Sequence, residues 1–273
     1  GEVRRMSILF SDVRGFTKIA EKLRGDPESL TRLLNMYFTK MTDRILENGG
    51  TIDKYMGDAV MAFWNAPLDD PEHARHCCDA ALEMLDGVAK LNINLAKEAE
   101  QEGRAHTPMR ISIGLNTGDC LVGNFGSEHR LNYSVMGDAV NVASRLEGQQ
   151  KTYGVTVIIG QETRDLVPEY ASLELDLIQV QGRLEPERIY GLLGRRNLAE
   201  SSEFESHRQN HDAFLAAYRA QDWSQARDLL ARCRLSDRHD LATLYDLFQA
   251  RIEDYSTNPL MADWDGVHVA QNK

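Results

Sequence analysis

The chain is 273 residues long with a formal net charge of -11, enough for one large domain or a medium one with an appendage. No basic stripe interrupts that acidity, which excludes a nucleic-acid binder, and no apolar run approaches the ~20 residues of a membrane span. Four cysteines, Cys77, Cys78, Cys120 and Cys233, lack the paired spacing of a zinc ribbon or redox motif and suit a reducing cytoplasm.

Gly1-Glu2 stands only a few residues before the first apolar run and carries no secretory signal, so the chain reads as a cytoplasmic piece of a longer parent. Met6-Ser7-Ile8-Leu9-Phe10 predicts a buried strand ending at Ser11-Asp12. Gly15-Phe16-Thr17 then opens a helical pattern through Ile19, Leu23, Leu30, Leu33, Leu34 and Tyr37. Pro27 interrupts the pattern and starts a second helix, which Asn48-Gly49-Gly50 closes. Asp12 therefore sits at the carboxyl end of a strand, where α/β proteins bind ligands. Taken alone it is open to two readings, a metal ligand or a cap on the next helix.

Thr51 to Trp64 predicts a hairpin with its tip at Gly57-Asp58. In a ferredoxin-like β-α-β-β layout that tip lies beside the end carrying Asp12, and two carboxylates face one pocket. Pro71 to Glu102 is an amphipathic helix with Ala74, Cys77, Cys78, Ala81, Leu82, Leu85, Val88 and Leu95 on its core side. Its His73 and His76 read as partly exposed polar residues, since no third metal ligand converges on them. Met109 to Asn116 and Cys120 to Phe125 predict a second hairpin about Thr117-Gly118-Asp119, followed by a strand from Leu131 to Met136. The glycines of this region are not a Walker loop, because Gly-x-x-x-x-Gly-Lys-Ser/Thr occurs nowhere.

Gly137-Asp138 starts a helix that puts Asn141 and Arg145 on one face. An amide and a guanidinium near a positive helix terminus suit phosphate, although a surface pair is the plainer reading. Strands follow over 155–160, 173–180 and 188–193, with a short helix at 161–167 and Arg183 in a loop, where it is solvated or reaches a phosphate tail. A polar stretch over 195–206 reads as a linker between a first domain, 1–194, and a helical module, 207–273. In that module His211 to Ala220, Trp223 to Arg232 and Asp240 to Asp254 are helix-period segments. Phe214, Tyr218, Trp223, Ala226 and Leu230 recur there like a small tetratricopeptide-like helix pair, which docks on a partner or on the first domain. His207 and His211 have a metal-compatible spacing but read as a solvated face.

With Phe10-Ser11-Asp12-Val13-Arg14-Gly15-Phe16-Thr17, Lys54-Tyr55-Met56-Gly57-Asp58 and Gly137-Asp138-Ala139-Val140-Asn141-Val142-Ala143-Ser144-Arg145 in order, residues 5–194 resemble the class III nucleotidyl cyclase catalytic domain. Diguanylate cyclases share a related palm-like fold, but their Gly-Gly-Asp/Glu-Glu-Phe signature is absent. The resemblance implies an α+β, ferredoxin-like βαββαβ domain. It also implies an adenylate cyclase that converts ATP to 3′,5′-cyclic AMP and pyrophosphate by in-line attack of the ribose 3′-hydroxyl on the α-phosphate. Two Mg²⁺ or Mn²⁺ ions per site are then held by Asp12 and Asp58; Asn141 orients the ribose and Arg145 stabilises charge on the α-phosphate. Lys54 falls at the adenine-reading lysine. Ser134 stands where many members carry aspartate, as in a bacterial subgroup in which bicarbonate stimulates some members. Arg183 falls where a triphosphate-binding lysine is usual, keeping the charge on a different side chain, and Gln181 replaces another lysine. The resemblance further implies a head-to-tail homodimer, the metal carboxylates coming from one chain and Lys54, Ser134, Asn141 and Arg145 from the other. It also implies a signalling role and a parent anchored in the inner membrane through N-terminal segments. The competing readings are a guanylate cyclase and a catalytically silent nucleotide-binding regulatory module.

Overall fold

The apolar run near the amino terminus forms β1 (Glu2–Val13), and its alternate residues are buried on both faces. The computed structural model describes residues 1–179, 186–261 and 263–269, and these fall into two compact units that divide after Gly148. In the first unit β1 is followed by α1 (Phe16–Lys22), α2 (Pro27–Glu47), β2 (Thr51–Met56), β3 (Ala59–Trp64), α3 (His73–Gln101), β4 (Ile111–Ser127), β5 (Arg130–Met136) and α4 (Asp138–Gly148). The strands run in the order β2-β3-β1-β4, all neighbours antiparallel, which is the ferredoxin-like arrangement predicted from the sequence.

Period-2 alternation in β1 decides what packs where. Ser7 and Ser11 face α3 and α2: Ser7 Oγ lies 2.8 Å from His73 Nδ1, and Ser11 Oγ lies 3.5 Å from the Tyr37 hydroxyl. Met6 and Ile8 face the other way and join Met61, Phe63, Ala139 and Ala143 in the core beneath α4. His73 is therefore buried, not partly exposed, because its helix face is the one that meets β1.

The predicted hairpin at Thr117-Gly118-Asp119 does not form. β4 runs straight through, pairing those residues with Ser7, Met6 and Arg5, and the turn comes after Ser127 instead. Gly118 serves packing: a Cβ there would lie 2.9 Å from Ala139 Cβ, and one at Gly114 would run into the Ala143 carbonyl oxygen. Glycine lets α4 sit close on the sheet, a need that the sequence pattern shares with a turn. Beyond its pairing with β1, β4 carries β5 back along its distal half. β5 carries Tyr133, whose ring meets Phe63 of β3 at 6.2 Å between centroids.

The second unit holds α5 (Gln150–Tyr153), β6 (Val157–Gly160), α6 (Gln161–Leu166), β7 (Ala171–Gln179), β8 (Glu187–Gly194), α7 (Arg196–Ala199), α8 (Ser202–Arg219), α9 (Trp223–Ser236), α10 (Ala242–Thr257) and β9 (His268–Val269). β8 pairs with β6 and β7, and β9 runs parallel to β7. The stretch 195–206 holds α7 and the start of α8, whose cap is Ser201 Oγ accepting from the Phe204 N–H at 3.2 Å. The helices dock on β7, where His211 Nε2 lies 2.6 Å from the Glu174 carbonyl oxygen and Arg251 Nη1 donates to Asp176 Oδ2 at 2.7 Å. His207 and His211, predicted on a solvated face, are fully buried, because α8 is covered on that side by α10: the Tyr245 hydroxyl lies 2.9 Å from His207 Nε2 and 3.2 Å from His211 Nδ1. Among the described residues no helix is long and apolar enough to cross a membrane.

Candidate active site

β1 and the β2–β3 hairpin together position the first group of polar side chains. Ser11 pairs with Val60, so the next residues of β1 lie beside the hairpin tip, where Gly57 takes a φ of 66° that a tight turn needs. Asp12 and Asp58 are thereby brought together. The Val13 N–H donates to Asp12 Oδ1 at 2.9 Å and to Asp58 Oδ2 at 3.3 Å. Both carboxylates are half-buried. Burial, and then the adjacent Asp12, push the Asp58 carboxyl up to about 6. Two carboxylates held side by side at a partly desolvated spot are hard oxygen donors, and a pair of this kind fits Mg²⁺ or Mn²⁺. Among the described residues no third His, Cys, Asp or Glu joins them.

A second group lies on β2 and β5. Ser134, 7% exposed, donates through Oγ to Asp53 Oδ2 at 2.8 Å, and Lys54 Nζ lies 3.5 Å from Asp53 Oδ1. Lys54 and Ser134 therefore meet across one carboxylate that the sequence reading passed over. Ile52 pairs with Ala62 and Lys54 with Met61, so Asp53 is the extra residue of a β-bulge. The signal for it in the sequence is slight: an acidic residue inside a strand pattern, next to a lysine.

Asn141 and Arg145 are exposed on one face of α4, and neither makes a side-chain hydrogen bond or ion pair among the described residues. The opposite face of that helix is buried through Ala139, Val142, Ala143 and Leu146. Its carboxyl end reaches the Asp12 end of the sheet, where Ser112, the register partner of Asp12, donates to Glu147. Arg183 and Gln181 lie outside the described residues.

A ferredoxin-like sheet with an acidic pair at one strand end defines a palm-like α+β domain. Its family is specific: the Adenylate and Guanylate cyclase catalytic domain matches residues 2–194, and the chain belongs to that family. Class III cyclases generally use divalent metal ions. The chain is 38% identical over 192 residues to an adenylate cyclase of Anabaena cylindrica, covering 68% of this chain and 36% of that one. It is 37% identical over 155 residues to adenylate cyclase 1 of Rhizobium meliloti (strain 1021), covering 57% of this chain and 22% of that one. The chain thus spans well under half the length of either relative. Among solved structures, the guanylyl cyclase Cya2 superposes with a TM-score of 0.62 at 33% identity, covering 71% of this chain and 94% of that one. The adenylyl cyclase CyaB from P. aeruginosa superposes with a TM-score of 0.61 at 32% identity, covering 72% and 98%. The two likenesses, one to a guanylyl and one to an adenylyl cyclase, are nearly equal.

Proposed function

We propose that the chain is an adenylate cyclase that converts ATP to 3′,5′-cyclic AMP and pyrophosphate in a signalling pathway. The observation that carries this reading is the convergence of Asp12 and Asp58 on one backbone N–H, in the unit that also presents Lys54, Ser134, Asn141 and Arg145. Two divalent cations held by Asp12 and Asp58 would activate the ribose 3′-hydroxyl and neutralise the triphosphate. Asn141 orients the ribose through its amide, and Arg145 supplies a guanidinium to the charge growing on the α-phosphate. Lys54 selects the base: N1 of adenine accepts a hydrogen bond, N1–H of guanine donates one, and an ammonium only donates. Arg183 serves the triphosphate tail.

The catalytic unit is a head-to-tail homodimer in this reading. Its support is that Asn141 and Arg145 stand exposed and unengaged, and that Val3, Leu121 and Met136, neighbours in register across β1, β4 and β5, are 71%, 41% and 51% exposed. Incubation with Mn²⁺ and either ATP or GTP, with the product identified by mass, tests the function. Cyclic AMP is the expected product. Cyclic GMP alone identifies a guanylate cyclase, and no product from either nucleotide identifies a silent regulatory module.

A further inference from the structure

We propose that Asp53 sets the hydrogen-bond polarity of the base pocket, committing the Ser134 hydroxyl to act as an acceptor and so making the pocket read the Watson–Crick edge of adenine. The inference rests on the reading of Lys54 and Ser134 as the base-contacting pair and adds the residue that directs them.

A serine hydroxyl carries one donor and two lone pairs, and a free one rotates to suit either partner. Ser134 by itself therefore tells an exocyclic amine from an exocyclic carbonyl poorly. Its proton is not free here. Ser134 Oγ stands 2.8 Å from Asp53 Oδ2, and a carboxylate only accepts, so the hydroxyl hydrogen points at Asp53 and the lone pairs of Oγ are what remains for the base.

The carboxylate is held in place to do this. Its side chain is 2% exposed, and as the extra residue of the bulge it shares its surroundings with Lys54, which regular alternation puts on the opposite face. The other oxygen, Oδ1, faces Lys54 Nζ at 3.5 Å, while the Lys54 side chain remains 49% exposed and free to donate outward. One buried carboxylate thus presents a donor and an acceptor side by side. Adenine offers the complement, an N1 acceptor and an N6 amine. Guanine and hypoxanthine offer the reverse at both atoms, N1–H and O6.

The test is the ratio of kcat/KM for ATP to that for inosine triphosphate, which differs from ATP only on this edge, measured with Mn²⁺ on the whole chain and on two variants. In Asp53→Asn the new amide donates to Ser134 Oγ and releases the hydroxyl proton towards O6, so the ratio falls at least about tenfold. In Ser134→Ala the acceptor is lost, ATP suffers more than inosine triphosphate, and the ratio falls as well. A merely structural role for Asp53 lowers both nucleotides together and leaves the ratio unchanged. If circular dichroism shows that Asp53→Asn does not fold, Ser134→Ala decides: an unchanged ratio there means that the hydroxyl rotates freely, which overturns the proposal. A wild-type chain that cyclises no purine nucleotide removes the cyclase reading and this inference with it. An active wild type whose ratio survives the substitutions removes this inference alone.

Discussion

In the second unit two acidic groups against the core, Asp176 and Glu174, have cationic or hydroxyl partners. Asp176 takes Arg251 at 2.7 Å and the Tyr153 hydroxyl at 2.8 Å, and Glu174 takes Arg188 at 3.0 Å and also Arg219. At the strand end of the first unit two carboxylates instead face each other across one N–H, and on α4 an amide and a guanidinium face solvent. The carboxylates of both units lie on or beside strands of antiparallel sheet, so the fold alone does not explain the difference. Groups that satisfy one another hold a structure together, and groups left unsatisfied at some cost are poised to receive something else.

The comparison breaks most visibly when each side is mutated. Asp12→Ala or Asp58→Ala should abolish turnover, because each removes a proposed cation ligand, while circular dichroism shows the fold retained and the melting temperature unchanged or raised as like-charge repulsion is relieved. Full activity of Asp12→Ala with Mg²⁺ removes the two-carboxylate assignment. Arg251→Met should do the opposite, costing about 3–5 kcal/mol of stability in urea unfolding by leaving Asp176 buried without its cation. The folded protein should keep its ATP-to-GTP ratio.

The two regions should also respond to acid with opposite sign. Burial, the main cause, lowers His211 from 6.5 to about 4, so it is neutral in the folded protein while the unfolded chain takes up a proton as the pH falls through 6.5. Its contribution, about 3 kcal/mol at most, is present at neutral pH and is lost between 6.5 and 4. Asp58 is raised to about 6, so the folded state holds its proton where the unfolded chain has released it, and this contribution is present in acid and lost as the pH rises to 6. Residue-resolved NMR titration checks both midpoints. Saturating Mg²⁺ should move the Asp58 midpoint down and leave His211 where it is.

Lys54→Glu sharpens the comparison at the base. An acceptor replaces a donor, and the preference for ATP over GTP in kcat/KM should fall at least about tenfold. An unchanged ratio takes Lys54 out of the pocket.

What the sequence made legible were features with local causes. Asp12 was readable because a strand ends there, Asp58 because Gly57 makes a tight turn, and Asn141 with Arg145 because residues four apart share a helix face. What it hid depends on partners distant in the chain. Gly118 has the chemistry of a turn and the role of a packing contact, and only the position of α4 tells them apart. The burial of His207 and His211 depends on Tyr245, more than thirty residues away. Asp53 was missed because a bulge is a property of register between two strands, and regular alternation puts it on the face opposite Lys54.

The central claim, that the unsatisfied groups of the first unit form one site shared between two copies, is tested most directly by mixing two inactive chains. Asp58→Ala and Asn141→Ala should each be nearly inactive alone, since every site in either homodimer lacks one essential part. Mixed dimers contain one site with both lesions and one with neither. With random exchange half the dimers are mixed and each has one of two sites intact, so activity should return to about a quarter of wild type and vanish on dilution. No recovery, despite demonstrated subunit exchange, contradicts the account and means that each chain completes its own site.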